Sequence, residues 1–400
     1  MSSRDVTARI EAFNSGREPE RLALKYREMC KSPFSFFRGS AHLFWEDLAR
    51  RRRVLPPSPL VWACGDLHLE NFGSFQGDNS LSYFDLNDFD EAALAPANWE
   101  VSRFVASIFV AAPGLDLSST DAAGLANSFL DTYRTALVDG KPRWIERATA
   151  SGMVRTLLKR VKGRERATLV KSRTVKKKGK LGLLIDGKHT LPATAAQRQE
   201  VARWLARFAK SQPDPGFYRV LDVARRAAGV GSLGLKRYVV LVRGGGGKEG
   251  HAILDAKWAA PSSLAQYERV RQPDWKSEAD RVVAIQHRME AIAPALLDAV
   301  RIGKGRGGYV LRELQPSQDR LTLANAKGHP RQLQSIIETM GHVTAWAELR
   351  SSGRQGSATI DDLIAFGDES RTWQRALIDY GRSYQRQVEH DYEQFARRQV

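Results

Sequence analysis

Cysteine is nearly absent from this chain of 400 residues, which contains only Cys30 and Cys64. Two thiols exclude a framework of several disulfides and a cysteine-rich zinc site. So little cysteine fits a reducing compartment, and we expect a cytoplasmic protein. Long apolar runs are also missing, because the longest, residues 104–112, is too short to span a bilayer. The first residues lack the apolar core of a signal peptide, so we expect no membrane segment.

Acidic residues are in the minority, with 45 Asp and Glu against 62 Lys and Arg, a net charge of +17. Residues 155–180 hold twelve of the basic side chains against a single acid, Glu165. Such a stretch could attract nucleic acid, an acidic protein or a phosphorylated ligand. It contains no aromatic residues to stack on bases, so nucleic acid is not favoured. We interpret it as a solvated face that attracts anions in general.

The acids that are present concentrate in residues 64–91, CGDLHLENFGSFQGDNSLSYFDLNDFDE. Asn71 follows Asp66 by five positions, and a second acidic group follows an apolar run at residues 81–84. The acidic residues of the segment are Asp66, Glu70, Asp78, Asp85, Asp88, Asp90 and Glu91.

Phosphoryl transfer needs these residue types at this spacing. One Asp orients or deprotonates the acceptor hydroxyl, an Asn on the same loop binds Mg²⁺, and a second Asp bridges Mg²⁺ to the nucleotide phosphates. The kinase catalytic loop has the same interval between its Asp and Asn as Asp66 and Asn71. The alternative is an acidic surface turn between two strands. The apolar flanks at residues 60–63 and 81–84 favour the functional interpretation.

A glycine-rich segment, AGVGSLG, follows residues 220–226 and precedes two predicted strands at 235–242 and 251–258. The last of these strands carries Lys257. In kinases a glycine-rich loop between strands covers the nucleotide phosphates, and a lysine on the third strand holds them. Glycines permit this because backbone amides must come close to the phosphates. The candidate phosphate-binding residues are Gly229, Gly231, Ser232, Gly234 and Lys257. The alternative is a flexible hairpin with an exposed lysine.

Helical periodicity and capping residues predict many helices around these two segments. A kinase lysine pairs with a helical Glu, and Glu268, Glu278 and Glu290 all remain candidates. We predict helices at residues 18–30, 41–51, 97–112, 118–137, 144–160, 195–210, 262–271, 277–300, 331–350 and 371–398. A hairpin is predicted at residues 173–190 and a strand at 309–314.

Several motifs together resemble an uncharacterised bacterial family, the domain of unknown function 2252, over about residues 21–392. They are SPFSFFRG at 32–39, CGDLHLENFGSF at 64–75, FDLNDFDE at 84–91, NWEVSRFVAS at 98–107 and DVARRAAGVGSLG at 222–234. Trp258 departs from the family, which more often has Glu after the lysine, and the basic stretch is not a shared feature. The resemblance to this family implies no particular activity.

The segment GDLHLEN is also similar, more distantly, to the G-D-x-H-x-x-N loop of aminoglycoside and choline phosphotransferases, which are protein-kinase-like. That likeness implies that Asp66 is the catalytic base and Asn71 a Mg²⁺ ligand. The second Mg²⁺ ligand would be Asp88 or Asp85, with Asp88 preferred. His68 would touch the γ-phosphate or make a structural hydrogen bond.

The order of the motifs is reversed relative to kinases, because the glycine loop follows the catalytic loop here. We therefore predict an α+β, two-lobed, protein-kinase-like fold that is circularly permuted and rich in helices. Residues 1–212 would form a helical lobe with a basic insert at about 155–190, residues 213–325 a β-rich nucleotide-binding lobe, and residues 326–400 helices that pack on the first lobe. This hypothesis requires that Lys257 lies near Asp88 or Asp85 across a cleft.

The predicted function is an ATP- and Mg²⁺-dependent phosphotransferase acting on a small-molecule or protein hydroxyl. Its partners would be a nucleotide and a phosphate acceptor that the sequence does not define. One alternative is a metal-dependent phosphohydrolase or nuclease that holds two metals through Asp85, Asp88 and Asp90. Another is a nucleotide-binding module without catalysis. The glycine segment has no role in the hydrolase, which favours the phosphotransferase.

Overall fold

The structure is a computed structural model that describes residues 4–177, 179–246, 250–315 and 319–399. Helices and strands are mixed along the chain, which confirms an α+β protein with many helices. The helices are α1 Val6–Phe13, α2 Pro19–Met29, α3 Pro33–Gly39, α4 Ala41–Arg50, α5 Ala97–Ala111, α6 Ser119–Asp139, α7 Gly152–Val161, α8 Arg166–Arg173, α9 Ala195–Ala209, α10 Ser263–Tyr267, α11 Glu278–Met289, α12 Pro330–Ser351, α13 Ile360–Asp368 and α14 Ser370–Gln399. The strands are β1 Leu60–Ala63, β2 Phe72–Gln76, β3 Ser82–Leu86, β4 Ala93–Pro96, β5 Ile145–Glu146, β6 Thr174–Lys177, β7 Lys180–Leu183, β8 Thr190–Pro192, β9 Val220–Arg226, β10 Arg237–Gly246, β11 Gly250–Trp258, β12 Asp298–Arg301, β13 Gly308–Glu313 and β14 Asp319–Arg320.

Two helices begin where capping residues in the sequence placed them. Ser118 precedes α6 and forms a reciprocal capping box with Asp121. Thr194 does the same for α9 with Gln197. These side chains satisfy backbone N–H groups of the first turn, which have no partner inside the helix.

Two predicted helices are wrong in extent. The helix expected at residues 144–160 begins only at Gly152, whose φ of +50° interrupts regular helix, and β5 precedes it. The helix expected to reach residue 300 ends at Met289, and β12 follows. Pro294 explains the second error, because proline lacks an N–H and disfavours helical geometry in the residue before it.

A six-stranded antiparallel sheet, in the order β12-β13-β11-β10-β9-β8, forms one part of the molecule. Strand β8 belongs to this sheet, and α9 packs on β9. The residues of β8 and α9, which were expected in the first lobe, therefore belong with the sheet. Successive side chains of a strand point to opposite faces, so each strand serves two environments. On β11, Leu254 lies in the cluster packed against Trp204 of α9, whereas Ile253, Asp255 and Lys257 face the other way.

That second face carries a cover made of α8 and the β6–β7 hairpin. Val170 of α8 and Leu183 of β7 pack with Val239 and Ile253 of the sheet. Most of the predicted basic insert is therefore folded against the sheet, although many of its basic side chains remain exposed.

The helical part is built around α5, which is buried along its whole length. The long helices α6 and α14 pack against it, and α12 packs against α6. Phe104 of α5 stacks on Phe129 of α6 with 4.0 Å between ring centroids. The acidic segment lies next to α5, with β1 paired to β4 and β2 paired to β3. None of the described helices is long and apolar enough to cross a membrane.

Candidate active site

A cleft of about 600 Å³ separates the acidic segment from the second face of the six-stranded sheet. Its lining is dominated by cations, with seven arginines and Lys257 against Glu70, Asp88 and Asp319. The arginines are Arg38, Arg164, Arg173, Arg226, Arg237, Arg312 and Arg320. A concave surface with this excess of positive charge is suited to a ligand that carries several negative charges.

The contact between Lys257 and Asp88 that the sequence hypothesis required is present. The Lys257 Nζ lies 3.4 Å from Asp88 Oδ1 and also pairs with Asp90. Partial desolvation in the cleft opposes ionisation of Asp88, but Lys257 and Arg312 together lower the pKa of Asp88 to about 2. Burial and the neighbouring Asp88 raise the pKa of Asp90. The two carboxylates therefore share one lysine, which favours the ionised form of Asp88.

Asp66 lies at the back of the same region, in a second cavity of about 60 Å³ that Asp88, Asp90 and Glu91 also line. Arg103 of α5 is fully buried and donates from Nε to Asp66 Oδ1 at 2.7 Å. Burial raises the pKa of Asp66, and the charge of Arg103 opposes that rise. The arginine thus binds Oδ1 of Asp66, a residue that lines the cavity.

Gly65 allows this turn because of its conformation and its surroundings. Its φ is +84°, a region that residues with a Cβ rarely adopt. A Cβ atom at this position would stand 1.9 Å from the carbonyl oxygen of Glu91. The Gly65 N–H donates to Glu100 Oε1 at 3.0 Å, which ties the turn to α5.

Asn71 holds the two acidic loops together. Its Oδ1 accepts the Asp88 N–H at 2.8 Å, and its Nδ2 donates to the carbonyl oxygens of Asp66 and Asp88. The amide is buried. Asn71 therefore positions Asp88 relative to Asp66.

His68 lines the cleft as a neutral side chain. Burial, with the charges of Arg38 and Arg103, lowers the pKa of His68 well below its usual value. Its Nδ1 accepts the Glu70 N–H at 3.0 Å. A neutral imidazole that accepts at Nδ1 carries its hydrogen on Nε2, so His68 can donate one hydrogen bond.

The glycine loop lies between the two cavities. Gly229 lines the large cleft, whereas Gly231 and Ser232 line the smaller cavity. The Gly231 carbonyl accepts from Arg17 Nη1 at 2.9 Å and from the buried Lys25 Nζ at 3.0 Å. The loop is therefore held by residues near the start of the chain.

Gly234 has a different environment from the other loop glycines. Its φ is +91°, and a Cβ atom there would approach the side chain of Arg17 to 2.9 Å. It is not among the residues that line either cavity. Its role is the close approach of the loop to the N-terminal region.

Asp85 does not reach the cleft. Arg350 Nη2 of α12 lies 3.0 Å from Asp85 Oδ2, and the side chain is buried on that side. The three acids that the hydrolase alternative requires therefore do not converge, because Asp88 and Asp90 face Lys257 instead. Among the residues described, no group of three or more His, Cys, Asp or Glu side chains could hold a metal ion.

None of the three candidate Glu residues pairs with Lys257. Glu268 pairs with Arg52 at 3.1 Å, Glu278 with Arg281 at 2.8 Å, and Glu290 accepts from Gln286 at 3.1 Å. Arg281 of α11 instead donates to the carbonyl oxygen of Asp90 at 2.9 Å. Helix α11 thus acts on the backbone of the acidic loop, and Asp90 supplies the carboxylate that pairs with Lys257.

A cluster of arginines beside Lys257 was not predicted from the sequence. Asp255 is buried and forms a two-pronged pair with Arg237, at 2.9 and 2.5 Å. Arg226 lies 2.9 Å and Arg312 3.8 Å from the same carboxylate. Three cations around one anion leave an excess of positive charge, and burial lowers the pKa of Arg226 to about 10. An available signal was the alternation of Asp255 and Lys257 on a strand that is otherwise apolar.

The fold and the cleft define an α+β protein with a cationic site between a sheet and a helical part. Residues 17–398 match the family described as "Uncharacterized protein conserved in bacteria (DUF2252)". The chain belongs to this family, as its sequence motifs indicated. No curated protein and no solved structure matches the chain.

Proposed function

We propose that the protein is an ATP- and Mg²⁺-dependent phosphotransferase with a kinase-like, circularly permuted arrangement of parts. The observation that carries the proposal is the 3.4 Å contact between Lys257 and Asp88, which lie 169 residues apart in the chain. In protein kinases the strand lysine and the Mg²⁺-binding aspartate also act on one nucleotide. The acceptor is a hydroxyl group of a small molecule or a protein.

The order of elements around Lys257 supports this proposal. Strand β9, the glycine loop, β10 and β11 follow one another, and Lys257 lies on the third of these strands, with α11 further along. Kinases arrange the glycine loop, the lysine and the helix in the same order. The segment with Asp66 and Asp88 comes before these parts instead of after them, which a permutation of the chain explains.

The oxygen atoms around Asp88 fit a Mg²⁺ ion. Mg²⁺ takes hard oxygen ligands and commonly only one or two carboxylates, the remainder coming from phosphates and water. Asp88 is ionised and about half of its side chain, 49%, is exposed to the cleft. When bound, the ion would neutralise negative charge on the phosphates, with Asp88 as its main protein ligand. Asp90 lies beside Asp88, and Asn71 holds both acidic loops in place.

Asp66 would receive the proton in the transfer step. The acceptor oxygen forms a bond to the terminal phosphorus, the bond from that phosphorus to the leaving diphosphate breaks, and the hydroxyl proton passes to Asp66. Its raised pKa makes Asp66 a better base than an exposed carboxylate. His68 would donate one hydrogen bond to a phosphate oxygen, and Lys257 would exchange a carboxylate partner for a phosphate.

The proposal is tested by calorimetric titration of ATP with and without Mg²⁺. We expect binding that Mg²⁺ strengthens, and loss of that enhancement in Asp88→Asn. Lys257→Met should weaken ATP binding roughly tenfold, as expected for a charged phosphate contact. The matched control is Lys236→Met, because Lys236 is exposed beside the same sheet and outside both cavities.

Catalysis is tested separately by the rate of ADP release. Asp66→Asn should bind ATP normally but turn it over more slowly by a factor of at least about 10². General base catalysis contributes at least that factor. ATP binding without turnover in the wild type would leave a nucleotide-binding module. A folded wild-type protein that binds no ATP in either condition would refute the proposal.

A further inference from the structure

A third cavity, of about 180 Å³, continues from the cationic cleft along the same face of the sheet. The two spaces share five lining residues: Arg173, His189, Arg226, Ala228 and Leu314. The smaller one differs in character, because Leu183, Leu184, Val239 and Ile253 also line it. The cleft therefore becomes more apolar along its length.

Strand β11 orders these environments. Lys257, Asp255 and Ile253 lie on one face at intervals of two residues, about 7 Å apart along the strand. Lys257 forms an ion pair with Asp88, Asp255 forms ion pairs with the arginines, and Ile253 lines the apolar cavity. A ligand extended along β11 would meet a catalytic end, a phosphate-binding middle and an apolar end in turn.

The wall of the apolar cavity comes from the basic insert and is anchored to two strands of the sheet, β13 and β9. Arg166 of α8 binds both carboxylate oxygens of Glu313. The Leu183 N–H donates to Asp222 Oδ2 at 2.8 Å. Leu184, next to the second anchor, leaves 44% of its surface exposed although it is large and apolar. An exposed leucine beside a cavity is available to cover a flat apolar group.

We propose that this cavity binds the base of a nucleotide whose phosphates lie in the arginine-lined cleft. The insert thereby has a specific role, as the wall of a base-binding site built from Leu183 and Leu184. This inference rests on the proposed function, because it takes the phosphate chain to lie between Lys257 and Arg312. It goes further because it assigns a binding site to the base of the phosphate donor. It also names the insert as the segment of the chain that recognises the base.

The test compares ATP with tripolyphosphate, which has the phosphates but no base, by calorimetry in the presence of Mg²⁺. We expect Leu184→Ser to weaken ATP roughly five- to tenfold through lost apolar contact and to leave tripolyphosphate unchanged. Arg312→Gln should weaken both ligands alike. Leu81→Ser is the matched control, because Leu81 is 51% exposed and lines neither cavity, and it should change neither affinity.

The outcomes separate this inference from the proposed function. Equal affinities of the wild type for ATP and tripolyphosphate, or unchanged ATP binding in Leu184→Ser, would overturn the base-binding site and leave the phosphate site intact. A parallel loss of both ligands in Leu184→Ser would also overturn it. Failure of the folded wild type to bind either ligand would refute the phosphotransferase itself. GTP, CTP and UTP, titrated in the same way, would show which base the cavity prefers.

Discussion

Glu100 connects the turn at Gly65 to the core of the helical part. We expect its ionisation to make a measurable contribution to stability. The side chain is completely buried on α5, and its Oε1 accepts the Gly65 N–H at 3.0 Å. Burial raises the pKa of Glu100 from 4.5 to about 7. No hydrogen-bond partner for its Oε2 is found in the residues described.

The sign of the pH effect follows from the raised pKa. Between pH 4.5 and about 7 the unfolded chain releases the Glu100 proton while the folded protein keeps it. Stability is therefore full below the unfolded pKa and falls as the pH rises through the folded value. From pH 5 to pH 8 this one group should cost about 2.5 kcal/mol of unfolding free energy.

Glu100→Gln removes the titration and keeps the oxygen that accepts from Gly65. We expect the difference in unfolding free energy between wild type and variant to change by about 2.5 kcal/mol from pH 5 to pH 8, in favour of the variant. Urea denaturation followed by tryptophan fluorescence at several pH values measures it. The control is Glu11→Gln, an exposed position on α1. Curves for wild type and Glu100→Gln that stay parallel across this range would refute the reasoning.

Three further predictions concern the same region and its supports. Gly65→Ala should abolish folding or lower the unfolding free energy by more than about 3 kcal/mol, because a Cβ would meet the Glu91 carbonyl at 1.9 Å; expression and thermal denaturation test it. Arg103→Met should lower the unfolding free energy by about 3–5 kcal/mol at pH 8, because Asp66 is left buried without its cation. The loss should be smaller at pH 5, where the Asp66 carboxyl can take up a proton. Equal losses at both pH values in urea denaturation would contradict this. Ser118→Ala should cost about 1 kcal/mol through loss of the α6 cap, with activity unchanged, as denaturation and ATP titration would show.

The sequence was most informative where chemistry depends on short spacing. The interval from Asp66 to Asn71, and the Asp88 that follows, identified the loop that lines the cleft. Capping residues such as Ser118 located helix starts, because their hydrogen bonds are made within one turn. These features depend on neighbours in the chain and need no knowledge of the fold.

Contacts between distant segments were much harder to predict. The sequence suggested a glutamate partner for Lys257, but Asp90 fills that place because the loop containing it approaches from the other side of the cleft. The arginines around Asp255 come from β9, β10 and β13, so their convergence depends on strand order and register. The sequence favoured Asp88 over Asp85 without excluding Asp85, because β3 ends at Leu86 and strand alternation does not extend to Asp88.

The distance in the chain between Asp88 and Lys257 also affects how the protein is made. At a synthesis rate of about 5–20 residues per second, the acidic loop leaves the ribosome roughly 10–30 s before the lysine that neutralises it. Until β11 has formed, water alone solvates the carboxylates of Asp88 and Asp90. The helical core around α5 is also completed late, because α12 and α14 follow β11 in the chain. The acidic loop therefore reaches its native arrangement only after most of the chain has been translated.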